Sequence, residues 1–147
     1  MNKTALIIVD MVKDFTDPEG LVFYPQNREI LPKIRKVLDK CREHDCLVVF
    51  MQHCNRKDKE DRRIASMRPN CIEGTFGIEI DDMLPVDEKK DYVIRKRRYS
   101  GFFATDLDLV LSCECLCNIL CSYGTVHFTS AVLAAGLNLN RYLNLIK

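Results

Sequence analysis

The sequence predicts an α/β fold of three layers, an open and mostly parallel sheet with helices on both faces. Three observations predict it. Thr4–Val9 and Cys46–Met51 are near-continuous apolar runs, the pattern of strands buried on both faces of a parallel sheet. Between them Ile30, Ile34, Val37, Leu38 and Cys41 recur at helical spacing with charged residues interspersed, so 5–51 reads as one β-α-β unit with a right-handed crossover. Further on, a short strand signal at Asp91–Arg95 precedes another helical stripe.

The elements follow in order. The first strand ends at Asp10, and Asp17-Pro-Glu-Gly20 is turn chemistry. Pro32 is expected in the first turn of the helix that follows. Residues 55–90 are polar and irregular, including Asn55–Arg63 and Leu84–Asp91. A connection of that length in a compact domain is often functional. Thr105 is placed to cap a helix whose stripe is Leu107, Val110 and Leu111. Leu116–Cys121 reads as a fourth strand and Val126–Ala135 as a helix after it. No internal repeat is visible, and 1–147 is read as a single domain.

Composition bounds the function. The 147 residues carry 22 Lys+Arg against 21 Asp+Glu, and 47% are apolar, which suits a globular domain and excludes a disordered or collagenous chain. A net charge of +1 argues against nucleic acid held mainly by charge, and the run Arg95-Lys-Arg-Arg98 reads as strand and surface. No apolar run reaches the ~18–20 residues that span a bilayer. The N-terminal run is too short for a signal peptide, so no membrane association and a cytoplasmic location are expected.

The averages hide a break. Residues 1–111 hold 40 of the 43 acidic and basic side chains, whereas 112–147 hold only Glu114, Arg141 and Lys147. The same tail carries four of the eight cysteines. With no secretory signal these read as reduced, small hydrophobic residues rather than disulfides. Cys113, Cys115 and Cys117 alternate, which on one strand would point all three to one face. Zinc sites prefer wider spacing and a second ligand pair, so no metal is expected there.

Ligands of open α/β sheets bind beyond the carboxyl ends of the strands. Asp10, the pair Gln52-His53, and Lys96 all fall at such ends. A carboxylate and an ammonium brought together there suit proton transfer. The blander alternative is a loop-capping Asp10 and a surface Lys96.

Three segments carry a resemblance. They are Leu6-Ile-Ile-Val-Asp-Met-Val-Lys-Asp-Phe15, Cys71-Ile-Glu-Gly-Thr-Phe-Gly-Ile-Glu-Ile80, and Lys96-Arg-Arg-Tyr-Ser-Gly-Phe102 followed by Thr105-Asp-Leu107. In this order they resemble the isochorismatase-like cysteine hydrolases, the superfamily of nicotinamidases, isochorismatases and N-carbamoylsarcosine amidases. The match covers about 4–111, leaves 112–147 as a divergent tail, and implies a Rossmann-like sheet whose last strands this chain lacks.

The resemblance implies an Asp, Lys and Cys triad acting on a small-molecule substrate without a cofactor. Asp10 matches the acid/base and Lys96 the lysine, while His53 and the Phe15 of the "Asp-Phe" pair are candidate substrate contacts. In the amidase members a cysteine attacks the amide carbonyl, the aspartate takes the thiol proton, and water hydrolyses the thioester; a neutral thiol needs such a base. The family nucleophile follows a "G-x-x-T-x-x-C" segment, whose nearest echo is Gly124–Ser130. That leaves Cys121 as the candidate by chemistry and Ser130 as the candidate by position. Two alternatives stand beside amide hydrolysis: a vinyl-ether hydrolase in which Asp10 is the general acid, and an inactive relative with a truncated or frame-shifted tail. The zinc-binding branch would need imidazoles where this chain has Asn55 and Asn70, so no metal is expected. Apolar surface left by absent strands makes a homo-oligomer the expected state.

Overall fold

The structure, a computed structural model, describes residues 3–59, 68–113 and 116–123. Four strands, β1 (Lys3–Val9), β2 (Leu47–His53), β3 (Tyr92–Lys96) and β4 (Leu116–Tyr123), form one parallel sheet in the order β3-β2-β1-β4. Among the described residues the helices are α1 (Lys13–Thr16), α2 (Pro25–Glu43) and α3 (Leu107–Cys113), with a 3-10 turn at Phe76–Ile78.

The apolar runs are continuous because β1 and β2 are covered on both faces. Leu6, Ile8, Val48 and Phe50 point to one side and pack with Leu31, Ile34 and Leu38 of α2. Ala5, Ile7, Val49 and Met51 point to the other and pack with Ile94, Leu107 and Leu111. The register explains the match, since Leu6 lies beside Val48, Ile7 beside Val49 and Ile8 beside Phe50. Phe50 is 2% exposed, and full burial of such a side chain contributes about 1.5–3 kcal/mol. Sheet and helices thus make the three layers predicted.

Two local expectations are corrected. Pro25, not Pro32, occupies the first turn of α2, and Pro32 lies inside the helix. Pro32 is exposed while Leu31 and Ile34 on either side are buried. The interruption therefore faces water, which can serve the carbonyl that loses its partner, and tertiary burial outweighs the local cost. The second correction concerns the alternating cysteines. Cys113 is the last residue of α3, and Cys117 lies in β4, so the two do not share a strand face. Burial of Leu107 and Leu111 carries the helix to that point. Asp106 is the residue before its first turn, and Thr105, one position earlier, accepts a hydrogen bond at Oγ1 from the Leu107 N–H at 3.3 Å.

The long polar connection is irregular but tied down in its described parts, 55–59 and 68–90. Isolated bridges join Asn55 to Ile72 and Val12 to Ile80. Lys13 N–H donates to the Glu79 carbonyl at 2.8 Å, and the Lys13 ammonium contacts Glu79 at 2.8 Å and Asp82 at 3.1 Å. These contacts fold the segment over the carboxyl ends of β1 and β2. The expected helix at Val126–Ala135 lies outside the described residues.

Candidate functional site

Asp10 is the first residue beyond β1, with its backbone in the left-handed region at φ 57°. That conformation costs an L-residue roughly 1–2 kcal/mol, less for Asp than for most. Its N–H bonds the Met51 carbonyl at 2.9 Å, so the sheet's own ladder holds the turn. Lys96 ends β3, two strands away, and its side chain is 2% exposed. The ammonium reaches across the end of β2 and donates to Asp10 Oδ2 at 2.7 Å, with a longer bond to the Arg98 carbonyl at 3.4 Å.

Taking the Lys96 ammonium out of water costs several kcal/mol unless a partner satisfies it, and Asp10, with 26% of its side chain exposed, is that partner. The pairing here is one-sided. Asp10 Oδ2 is engaged, whereas Asp10 Oδ1 is buried and has no hydrogen-bond partner among the described residues. Buried polar atoms are normally satisfied, so an orphan acceptor beside a buried cation marks a place where a donor belongs. Chemically, that oxygen is positioned to accept a proton, or to deliver one.

A second carboxylate organises the surroundings. Asp14, 2% exposed, accepts hydrogen bonds from the Cys71 N–H at 2.5 Å and the Leu21 N–H at 3.0 Å. Gly77 lies against it so closely that a Cβ there would sit 2.2 Å from the Asp14 carboxyl. Gln52, also buried, donates to the Ile78 carbonyl at 2.5 Å and accepts from Arg95 at 3.2 Å. The segment resembling "C-x-x-G-T-x-G-x-E" is thereby fixed over the sheet end. Asp14 was missed as a candidate. Only its place in the "Asp-Phe" pair signalled it, because its partners lie up to 57 residues away.

The remaining candidates separate. His53 ends β2 directly beside Lys96 in register, at the same end of the sheet as Asp10. Phe15 is half-buried against Val12, Cys54, Cys71 and Ile78, an apolar contact within the fold. Cys121 lies inside β4, with its backbone in register with Ile7, three positions before Asp10 along β1. Ser130 lies outside the described residues. Other thiols adjoin the site but are held in their neutral form. Burial, then the Asp14 and Asp10 charges, push the Cys71 thiol far up, with Lys96 opposing. Burial likewise raises Cys54, against the pull of Arg95. Neither is an activated nucleophile.

Zinc does not fit the residues where the nicotinamidase-type ligands would fall. Asn55 turns its amide nitrogen to the Asn70 carbonyl at 2.7 Å, and Asn70 donates to the Arg68 carbonyl at 2.9 Å. That leaves His53 as the single nitrogen ligand, where zinc prefers several His or Cys groups. Among the described residues no cluster of three or more His, Cys, Asp or Glu could hold a metal ion.

Residues 4–114 match the model of the isochorismatase domain. The chain belongs to that family. Isochorismatase-family relatives agree in sequence and in shape. The Arabidopsis thaliana "probable inactive nicotinamidase" is 30% identical over 113 residues, covering 71% of this chain and 57% of its own. A cysteine hydrolase from Pseudomonas syringae superposes with TM-score 0.77 at 29% identity, over 84% of this chain and 60% of that one. The N-carbamoylsarcosine amidase of Thermoplasma acidophilum gives TM-score 0.73 at 28% identity, over 82% and 67%. The chain spans a little over half the length of the curated relatives it matches. No helix among the described residues is long and apolar enough to cross a membrane.

Proposed function

We propose that the chain carries the acid/base half of an amide hydrolase acting on a small molecule. Asp10 is the base, Lys96 is the cation that holds it in place, and the nucleophile comes from the segment beyond α3, Cys121 or Ser130. The observation that carries this reading is the split carboxylate of Asp10, one oxygen on a buried ammonium and the other buried with no hydrogen-bond partner among the described residues. A base with that geometry takes a proton from a thiol or hydroxyl as it attacks the carbonyl, then returns it to the leaving amine. The superposition on an amidase and on a cysteine hydrolase supports the same chemistry.

The test is ammonia release from a panel of small primary amides and N-carbamoyl compounds. Asp10→Asn is expected to lower turnover by about 10²–10⁴-fold, with Cys121→Ala or Ser130→Ala abolishing it. An unaffected Asp10→Asn enzyme would sink the proposal.

A second reading is favoured by the position of Cys121, whose backbone lies opposite Ile7 rather than at the sheet end. There Asp10 acts as a general acid on a vinyl ether and no covalent nucleophile is used. Its signature is loss of activity in Asp10→Asn with full activity in both Cys121→Ala and Ser130→Ala. Absence of turnover on amides and vinyl ethers alike would place the chain with its inactive-named plant relative.

A further inference from the structure

At the end of the sheet remote from Asp10, helix α2 closes with a turn whose hydrogen bonds are all visible. The Cys46 N–H donates to the Cys41 carbonyl at 2.9 Å, the Asp45 N–H donates to the Arg42 carbonyl at 3.1 Å, and Asp45 is left-handed at φ 52°. These are the 6→1 and 5→2 bonds of a Schellman cap, in which the first and last residues of the turn characteristically touch. Here both of those residues are cysteines. Cys41 is buried in the α2 core, Cys46 packs against the same cluster and is half-buried, and both are free thiols. Burial raises the Cys41 thiol to about 11, and the neighbouring Cys46 thiol adds to the rise.

We propose that Cys41 and Cys46 form a reversible redox site, closing to a disulfide when the protein meets a peroxide. A 6→1 closure folds the chain back on itself and brings the two α-carbons toward the separation of about 4.4–6.8 Å that a disulfide requires. Their roles differ by exposure. Cys46, the less buried of the two, meets the oxidant: its sulfur attacks the peroxide O–O bond and the departing hydroxide takes the thiol proton, giving a sulfenic acid and one water. The Cys41 sulfur then attacks the Cys46 sulfur, the S–S bond forms, and hydroxide leaves and takes the Cys41 proton as a second water. Two thiols and one hydrogen peroxide become one disulfide and two waters. Cys54 and Cys71, 1% and 0% exposed, are shielded from the first step.

The chain's own sequence supplies the readout. Trypsin cuts after Lys40, Arg42 and Arg56, so Cys41 and Cys46 end on different peptides unless a disulfide joins them. The full chain is treated with hydrogen peroxide, blocked with iodoacetamide, digested without reductant and analysed by mass spectrometry. The expected product is Cys41-Arg42 linked to the peptide 43–56, with fragmentation placing the bond at Cys46, and reversal by dithiothreitol. The link is retained in Cys54→Ser and lost in Cys46→Ser. In Cys41→Ser, the sulfenic acid at Cys46 persists and is trapped by dimedone, whereas the native chain gives little adduct. Failure to recover the 41–46 link while Cys46 is oxidised to sulfinic acid would overturn the proposal. So would a link that runs through Cys54 or through a cysteine of the tail.

Discussion

The two ends of the sheet each contain an aspartate in the left-handed conformation, and they hold it in opposite ways. Asp45, where the chain turns into β2, is exposed and belongs to a helix cap whose backbone bonds account for its geometry. Asp10, where the chain leaves β1, sits beside a buried ammonium with one carboxyl oxygen left without a partner among the described residues. The same backbone state is thus ordinary turn chemistry at one end and a strained, incompletely satisfied arrangement at the other. Strain of the second kind persists only where the surroundings over-determine it, which is the mark of a site.

The comparison breaks most sharply at Lys96. Lys96→Met removes the ammonium and leaves the Asp10 carboxylate without its partner, which should cost about 3 kcal/mol in urea unfolding. The double variant Asp10→Asn, Lys96→Met should recover much of that loss; a simple sum of the two single effects would mean that the pair is not coupled. Next comes Gly77→Ala. The new Cβ would have to displace the Asp14 carboxyl and so disturb the Cys71 anchor, lowering stability by about 1–3 kcal/mol. An unchanged melting temperature would show that the 71–80 segment yields freely.

At the other end the expected effects are smaller. Cys41 titrates higher when folded, near 11, than the ordinary thiol value of 9. The folded state therefore holds this proton more tightly, and the stability it contributes is complete below about pH 9 and is lost as pH rises toward 11. Comparison with Cys41→Ala isolates that slope, at most about 1.4 kcal/mol per pH unit between 9 and 11; parallel profiles would remove it. Smallest of all is Asp45→Gly, expected to stabilise by about 0.5 kcal/mol, since glycine takes a positive φ without cost. A loss in its place would mean that the Asp45 side chain contributes more than the turn geometry accounts for.

Legibility in the sequence followed the range of the interactions. β1 and β2 could be read from composition because every second residue meets a different helix, and Asp10 and Lys96 stood out as polar residues where those runs stop. The start of α2 was harder. Pro32 resembles a helix opener, but burial of Leu31 and Ile34 overrides it. Asp14, by contrast, earns its place through backbone N–H groups of Leu21 and Cys71, and no pattern in neighbouring residues announces a bond to an amide 57 positions away. The boundary of α3 misled the reading of Cys113 for a related reason: alternation at every second residue is a strand signal only where a strand exists.

The strand order has a consequence for how the molecule is made. β1 leaves the ribosome first, yet it lies between β2 and β4, and β4 begins more than a hundred residues after β1 ends. At translation rates of about 5–20 residues per second, one edge of the nascent β1 stays open for on the order of 5–20 s after its own synthesis. A growing chain therefore passes through a stage in which Leu6, Ile7 and Ile8 present a ready template to any other extended segment nearby, so crowding of polysomes bears on its yield as directly as the stability of the finished fold.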